Sequence, residues 1–167
     1  MNNTSTFVYS RAHAEKFVSD SMRSALRDII REQSLSPELL MQLWASWVER
    51  GVRAWLASGH LIAIIIEFFE PGASTITTRW DFPIDYSSSG VEDDMWLDKS
   101  YLRQLIAKAP RPTASCTYRV LLRTAPNEPK VDGISNTKCL STGQMVARPA
   151  GTIVATGHIM ASAAYWK

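Results

Sequence analysis

Hydrophobic and polar residues alternate along residues 75–86 with the period of two that a half-buried β-strand requires. The two faces of that strand would differ, with Ile76, Trp80, Phe82 and Ile84 on one and Arg79, Asp81 and Asp85 on the other. Residues 61–69 are almost entirely apolar and lead into Glu-Pro-Gly, so the two segments are predicted to form a β-hairpin. Because Pro83 has no N–H to donate, the second strand is predicted to lie at a rim of the sheet, where a further strand can be added.

Two amphipathic helices are predicted upstream of this hairpin. Residues 10–33 repeat apolar side chains at helical spacing, and residues 36–59 begin with a Ser-Pro-Glu cap and end at a glycine. Trp44, Trp47 and Trp55 share one stripe of the second helix. At that spacing we interpret them as a core contact with the sheet, in preference to a stacking site for a ligand.

Downstream of the hairpin, the pattern changes from a firm body to a softer C-terminal third. A third helix is predicted over residues 93–109, with Trp96 facing inward, and a further strand over residues 115–124. Residues 125–151 contain three prolines, three glycines and few apolar side chains. Residues 152–167 are prone to form strands but have mostly small side chains, and such strands have a weak preference for one register.

Composition indicates one folded domain. The chain has 167 residues, of which 46% are hydrophobic and 20% charged, and its net charge is +2. Lysine and arginine are scattered, so direct binding of nucleic acid is not expected. Two cysteines are too few for a disulfide scaffold, the longest apolar run is far shorter than a membrane span, and no signal peptide is visible. We therefore expect a soluble, cytoplasmic protein that does not contact the membrane.

Residues capable of catalysis or metal binding form no recognisable motif. The histidines His13, His60 and His158 are isolated, and neither an HExxH nor a paired CxxC pattern occurs, so no metal or cofactor is predicted. A nucleophile pair of Cys116 and His158 stays open as the alternative of a small cysteine-dependent hydrolase, although a third catalytic member is missing. The acidic residues 92–94 are interpreted as the start of a helix, in preference to a cation site.

The order of the predicted elements, together with several sequence blocks, resembles the HORMA domain family. The blocks that carry the resemblance are Trp55-Leu56, residues 61–69, Arg79-Trp80-Asp81-Phe82, residues 115–122 and residues 160–165. The compact chain is most similar to the prokaryotic HORMA proteins of CBASS anti-phage signalling systems. The resemblance implies an α+β fold, in which a central antiparallel sheet is backed by three helices and followed by a C-terminal safety belt. Residues 1–167 would then form a single HORMA domain.

The resemblance also implies how the parts of that domain act. Residues 1–8 would be a weakly anchored arm, residues 10–124 the core, and residues 125–167 the safety belt, whose residues 152–166 would form latching strands. A closure-motif peptide would add as a strand to the edge of the core. The residues implied in peptide binding are Thr117, Tyr118, Arg119, Val120, Leu121, Leu122 and Arg123. The residues implied in the latch, beside residues 75–86, are Trp80, Phe82, Ile153, Ile159 and Tyr165.

The function implied by the resemblance is that of a non-enzymatic signalling adaptor. In its closed, peptide-bound state the protein would bind and activate a cGAS-like nucleotidyltransferase, and a Pch2-like AAA+ ATPase would remodel it through the arm. Strand addition gives affinity through main-chain hydrogen bonds, and a tail with two possible packings suits a switch. A peptide-binding adaptor in another pathway, such as DNA repair, is the alternative within the same family.

Overall fold

The computed structural model describes residues 3–86 and 95–167, which form one antiparallel sheet of six strands with helices against one of its faces. The helical elements are α1 (Asn3–Glu32), α2 (Glu38–Leu43), a π-helical turn (Trp44–Val48), α3 (Glu49–Ser58) and α4 (Lys99–Lys108). The strands are β1 (Leu61–Phe69), β2 (Thr78–Tyr86), β3 (Trp96–Leu97), β4 (Thr117–Thr124), β5 (Ala147–Ala155) and β6 (Ile159–Trp166). The α2, π and α3 segments follow one another without a break, so three helical units back the sheet, as predicted.

The strand order is β3-β5-β6-β2-β1-β4, and every pair is antiparallel. β1 lies inside the sheet, as its apolar sequence predicts. The predicted rim strand β2 is covered on its second side by β6, the last strand of the chain. Pro83 is compatible with this position because the β2–β6 ladder skips it, pairing Asp81 with Ala164 and Ile84 with Ala161.

One of the predicted helix boundaries is correct, and two differ from the structure. Gly59 ends α3 in a left-handed conformation, with φ of 76°, as its place after the apolar stripe indicates. Helix α1 begins at Asn3, earlier than predicted, so the predicted arm belongs from that residue onward to the helix; Met1 and Asn2 lie outside the described residues. Helix α4 begins only at Lys99, where the Asp98 carboxylate accepts a hydrogen bond from the Tyr101 N–H at 2.9 Å.

The prediction that Trp96 faces inward from the third helix is wrong. Trp96 belongs to the short strand β3, where it pairs with Ala155, and its side chain is 42% exposed. The physical reason is that the helix is delayed to its Asp98 cap, so the residues before it pair with β5 instead. The acidic residues 92–94, interpreted as a helix start, lie outside the described residues.

Most of the core lies between the helices and the sheet. It is formed by the apolar stripes of α1, the α2–α3 unit and α4 against alternate residues of the strands. The opposite face of the sheet, called here the open face, carries a much smaller apolar cluster of Ala63, Ile65 and Leu121. Cys139 packs against that cluster from the segment that joins β4 to β5. Both faces of β1 therefore contribute buried residues, although Ile62 near its start is exposed.

Candidate functional site

The strand β4 forms one end of the sheet and is paired, among the described residues, with β1 alone. All seven residues predicted to bind the peptide, 117–123, lie on it. Tyr118, Val120 and Leu122 face the helices, because all three belong to the main core or pack against it. Arg119 and Leu121 face the open side, opposite Glu67 and Ile65 of β1. The outer edge of β4 has unpaired main-chain groups, which a further strand can satisfy.

The segment between β4 and β5, residues 125–146, is called here the crossing segment, because it passes around the edge of β4. It starts at the hydrogen bond from the Ala125 N–H to the His60 carbonyl oxygen, at 2.8 Å. On the helix side, Trp55 Nε1 donates to the Pro129 carbonyl oxygen at 2.7 Å. On the open face, Arg119 Nη2 donates to the Lys138 carbonyl oxygen at 2.6 Å. The crossing segment thus goes from the helix side to the open face and encloses the β4 edge.

A cavity of about 320 Å³ lies between the β4 edge and the crossing segment. Its walls come from the second helical unit, from β4 and from the crossing segment itself; they include Trp47, Trp55, Val120, Leu122, Glu128 and Ile134. The two tryptophans belong to the stripe that we interpreted as a core contact. Trp44 and Trp55 are buried as predicted, but Trp47 is only half-buried, and both Trp47 and Trp55 face this cavity. The interpretation of all three tryptophans as a core contact was therefore incomplete.

Gly51 of α3 gives the crossing segment its seat on the helix side. A Cβ atom at this position would lie 2.7 Å from Ile134 Cδ1 and 2.8 Å from Leu122 Cδ1. Those separations are far below van der Waals contact, so any larger residue requires Ile134 or Leu122 to move. No sequence pattern indicates this role, because a glycine within a helix usually means only a small loss of helix propensity.

Glu67 of β1 anchors the crossing segment on the open face. Its side chain is fully buried, and Oε1 accepts a hydrogen bond from Arg119 Nε at 2.7 Å. Oε2 accepts from the Leu140 N–H at 2.8 Å. A buried carboxylate is costly unless its charge is paired and its oxygens accept hydrogen bonds, and here both oxygens are satisfied. One of the two donors belongs to the crossing segment, so the carboxylate is satisfied only while that segment is in place.

The same row of charges continues across the sheet to the C-terminal strand. Arg79 lies beside Glu67 on β2 and forms a bidentate pair with Asp81, with distances of 2.6 and 2.8 Å. Burial alone would lower the pKa of Arg79, but the Asp81 carboxylate outweighs it and raises that pKa above its ordinary value. The Arg79 guanidinium also lies 4.8 Å from the centre of the Trp166 ring, whose Nε1 donates to Asp81 at 3.2 Å. The polar face of β2 therefore holds the end of β6.

The residues predicted to form the latch lie in the helix-side core, but they do not all touch one another. Trp80 pairs in register with Tyr165 of β6, with ring centres 5.5 Å apart, and stacks on Phe82 at 6.1 Å. Ile153 and Ile159 are fully buried in the same core from β5 and β6. The C-terminal strands are thus paired on the β2 side of the sheet, and the outer edge of β4 is left to the crossing segment.

A further attachment of the crossing segment, at the hairpin turn, was not predicted from the sequence. Ser141 forms an isolated parallel β-bridge with Thr75. The Ser141 carbonyl oxygen accepts a hydrogen bond from the Ile76 N–H at 2.9 Å, and the Ser141 N–H donates to the Ser74 carbonyl oxygen at 3.0 Å. The residues before β2 therefore pair with the crossing segment, and β2 itself begins at Thr78. Serine and threonine at such a place give no pattern that distinguishes a short bridge from a loop.

The proposed nucleophile pair of Cys116 and His158 does not form. Cys116 lies just before β4, at the end where β4 pairs with the last residue of β1. His158 lies just before β6, beside the last residue of β2, at the other end of the hairpin. At about 3.3 Å per residue, the length of β1 puts about 25 Å between the two ends. The hydrolase alternative therefore loses its catalytic pair.

Within residues 3–86 and 95–167, no group of three or more His, Cys, Asp or Glu side chains is placed to hold a metal ion, and Cys116 and Cys139 are both free thiols. None of the helices described there is both long enough and apolar enough to cross a membrane.

Comparison with protein families gives one match that covers nearly the whole chain. Residues 3–167 match the family model described as bacterial HORMA domain 2. A search of curated proteins found no significant match.

Solved structures share the fold at low sequence identity. A chain of the mitotic checkpoint complex superposes with a TM-score of 0.72 at 12% identity, covering 91% of this chain and 97% of that one. Caenorhabditis elegans HTP-2, bound to the HIM-3 closure motif, gives 0.64 at 15% identity, covering 94% and 91%. A chain of the Escherichia coli MS115-1 HORMA:CdnC:Trip13 complex gives 0.58 at 11% identity, covering 95% and 89%. At these identities the similarity demonstrates a common fold.

Proposed function

Since this chain belongs to the family of bacterial HORMA domains, we propose that it is a non-enzymatic signalling adaptor whose ligand is a closure-motif peptide. The peptide adds as a strand to the outer edge of β4, along residues 117–123. The crossing segment closes over it as the belt, and β5 and β6 hold the belt by pairing beside β2.

One observation carries this proposal: a cavity lies between an unpaired strand edge and a segment that wraps around that edge. Main-chain groups along the edge supply affinity for any extended peptide, and the pockets beside it supply selectivity. Because the crossing segment is attached at Trp55, Glu67 and Ser74, a peptide in the cavity cannot leave sideways. Release requires those attachments to break first, so a slow dissociation rate is expected.

The arrangement of the C-terminal strands supports a closed state. β6 pairs with β2 along almost its whole length and buries Ile159 in the core, while Ile153 is buried from β5. In this arrangement Trp80, Phe82, Ile153, Ile159 and Tyr165 act as the latch. The latched strands form an exposed surface that exists only while the tail is paired at β2, and such a surface can report closure to a partner.

The partner that we propose is a cGAS-like nucleotidyltransferase of a CBASS anti-phage system in the cytoplasm, activated by the closed protein. A Pch2-like AAA+ ATPase would reopen the protein by acting on residues 1–8. Support comes from the family match and from the fold that this chain shares with a chain of the E. coli HORMA:CdnC:Trip13 complex. Peptide binding and enzyme binding must then reinforce each other, because linkage between two sites is reciprocal.

The test uses peptides recovered with the protein from its cells, identified, and synthesised. The partner nucleotidyltransferase is titrated with this protein, with and without such a peptide, and cyclic-oligonucleotide synthesis is measured. We expect stimulation only when peptide is present, and tighter peptide binding when the enzyme is present. Equal stimulation without peptide would refute the switch. Tight peptide binding with no stimulation at all would point to an adaptor of another pathway, such as DNA repair.

A further inference from the structure

We infer from the walls of the cavity and from the open face of β4 that the closure peptide carries a large apolar residue directly beside an acidic residue. This inference rests on the proposed peptide binding and adds the chemical class of the ligand. It uses the two faces of β4, which present different chemistry to a strand added at its edge.

On the helix side, the added strand meets apolar walls. Trp47 and Trp55 come from the second helical unit, Leu122 from β4, and Ile134 from the crossing segment. Trp55 Nε1 is already used by the Pro129 carbonyl oxygen, so its indole presents only the ring to the cavity. A side chain that packs on this apolar patch gains free energy by removing apolar surface from water, while the polar residues Ser135, Asn136 and Thr137 line another part of the same cavity. One large aliphatic or aromatic residue fits this wall.

On the open face, the added strand meets positive charge. Arg123 has the same orientation as Arg119 and Leu121, because alternate residues of a strand share a face, and its partner in the ladder is Ala63 of the open-face cluster. Arg119 is neutralised by Glu67, whereas Arg123 is exposed and belongs to no ion pair within the described part of the chain. Opposite charges that face each other across two strands stabilise the pair, so an Asp or Glu is favoured beside Arg123.

Glu128 disfavours a peptide whose acidic residue points to the helix side. It is partly buried at the cavity and comes from the crossing segment. An acidic peptide residue on the helix side would bring a second carboxylate toward the partly buried Glu128, and the repulsion between the two like charges costs free energy. Leu122 and Arg123 are neighbours on β4 and point to opposite faces, so the peptide residues beside them, one apolar and one acidic, are adjacent as well.

The experiment selects a library of displayed, fully randomised peptides on the purified protein and measures affinities of the enriched sequences by fluorescence anisotropy. We expect an apolar residue with an adjacent Asp or Glu in the enriched set. Replacing the apolar residue by alanine should weaken binding about tenfold to a hundredfold, as expected for a buried large side chain. Replacing the acidic residue by its amide should weaken it about twofold to fivefold, as for an exposed ion pair.

The variant Arg123→Glu tests the assignment of the acidic residue to one face. Selection on this variant should replace Asp or Glu by Lys or Arg at the same peptide position, while the apolar residue is kept. Arg103→Glu, at an exposed residue of α4, is the charge-matched control and should leave the selected sequences unchanged. Enriched peptides that bind tightly but show no acidic preference, or no change on Arg123→Glu, would overturn this inference and leave the proposed function standing. A selection that enriches no binding peptide would overturn both.

Discussion

The carboxylate of Glu67, in the middle of the sheet, accepts a hydrogen bond at 2.8 Å from the backbone N–H of Leu140, which lies far away in sequence on the crossing segment. The same carboxylate pairs with Arg119 on β4, the strand whose edge the segment encloses. One fully buried group therefore touches the strand that forms the binding edge and the segment that covers it. Opening the crossing segment leaves that carboxylate without one of its donors.

Replacing Glu67 by alanine is therefore expected to loosen the crossing segment. The substitution leaves the Leu140 N–H and the Arg119 Nε–H without their acceptor, at a cost of about 1–3 kcal/mol in the free energy of unfolding. Hydrogen exchange at the Leu140 amide should become faster, and bound peptide should dissociate faster. Glu67→Gln keeps an oxygen for Leu140 and should have a smaller effect. Glu32→Ala, at an exposed position, is the control. Unchanged exchange at Leu140 in Glu67→Ala would contradict the anchoring role.

Replacing Gly51 by alanine distinguishes the stability of the helix from its contact with the crossing segment. Alanine raises helix propensity by about 1 kcal/mol relative to glycine, so the helix itself should be stabilised. The new Cβ atom, however, conflicts with Ile134 and Leu122. We expect faster peptide release in spite of the stronger helix. The double variant with Ile134→Ala should recover part of the loss, and this coupling can be read from a double-mutant cycle. Additive effects of the two substitutions would rule out the seat at Gly51.

The sequence predicts the strands more fully than the site. Alternation in residues 75–86 and the apolar run before them place the hairpin correctly, because each pattern is local. Glu67, Gly51 and Ser141 could not be assigned, since their roles depend on which distant residues they meet. From the sequence alone, Glu67 is a polar residue near the end of an apolar strand. Only the strand register shows that it lies between Arg79 and Arg119. The π-helical turn over Trp44–Val48 likewise follows a helical pattern with no local break.

The contact between Trp80 and Tyr165 predicts the behaviour of the latch. Tyr165→Ala removes a ring contact that contributes about 0.5–1.5 kcal/mol beyond the buried area. If this contact slows the opening of the latch, the variant should release peptide about twofold to tenfold faster than the original protein, with the association rate little changed. Stopped-flow displacement of a labelled peptide measures both rates. Tyr165→Phe keeps the ring and should release peptide at the original rate. A slow release in Tyr165→Ala would remove this pair from the latch.

The Glu70 carboxylate is expected to make the stability of the fold depend on pH in the acid range. Its Oε1 accepts hydrogen bonds from the hydroxyls of Thr113 and Ser115, just before β4, and these bonds lower the pKa of Glu70 below its ordinary value. A lowered folded pKa means that the stabilisation is present above the unfolded pKa, near 4.5, and is lost as the pH falls through the folded value. Thermal unfolding from neutral pH downward should therefore show a smaller acid-dependent loss for Glu70→Gln than for the original protein. Identical pH profiles would show that the pair of hydroxyls does not stabilise the charged carboxylate.

The position of α1 predicts how an ATPase acting on the N-terminus could open the latch. Helix α1 packs in the main core against β5 and β6, and its buried residues Val18 and Met22 belong to the same cluster as Ile153 and Ile159. Pulling on residues 1–8 would unwind α1 from its N-terminal end and remove the support on which the latched strands pack. Deleting residues 1–8 removes the handle but leaves the buried part of α1 in place. We expect normal peptide affinity and unchanged spontaneous dissociation, but no acceleration when the Pch2-like ATPase and ATP are added. The same peptide-release measurement without nucleotide is the control, and ATP-dependent release from the shortened chain at the original rate would exclude the arm as the handle.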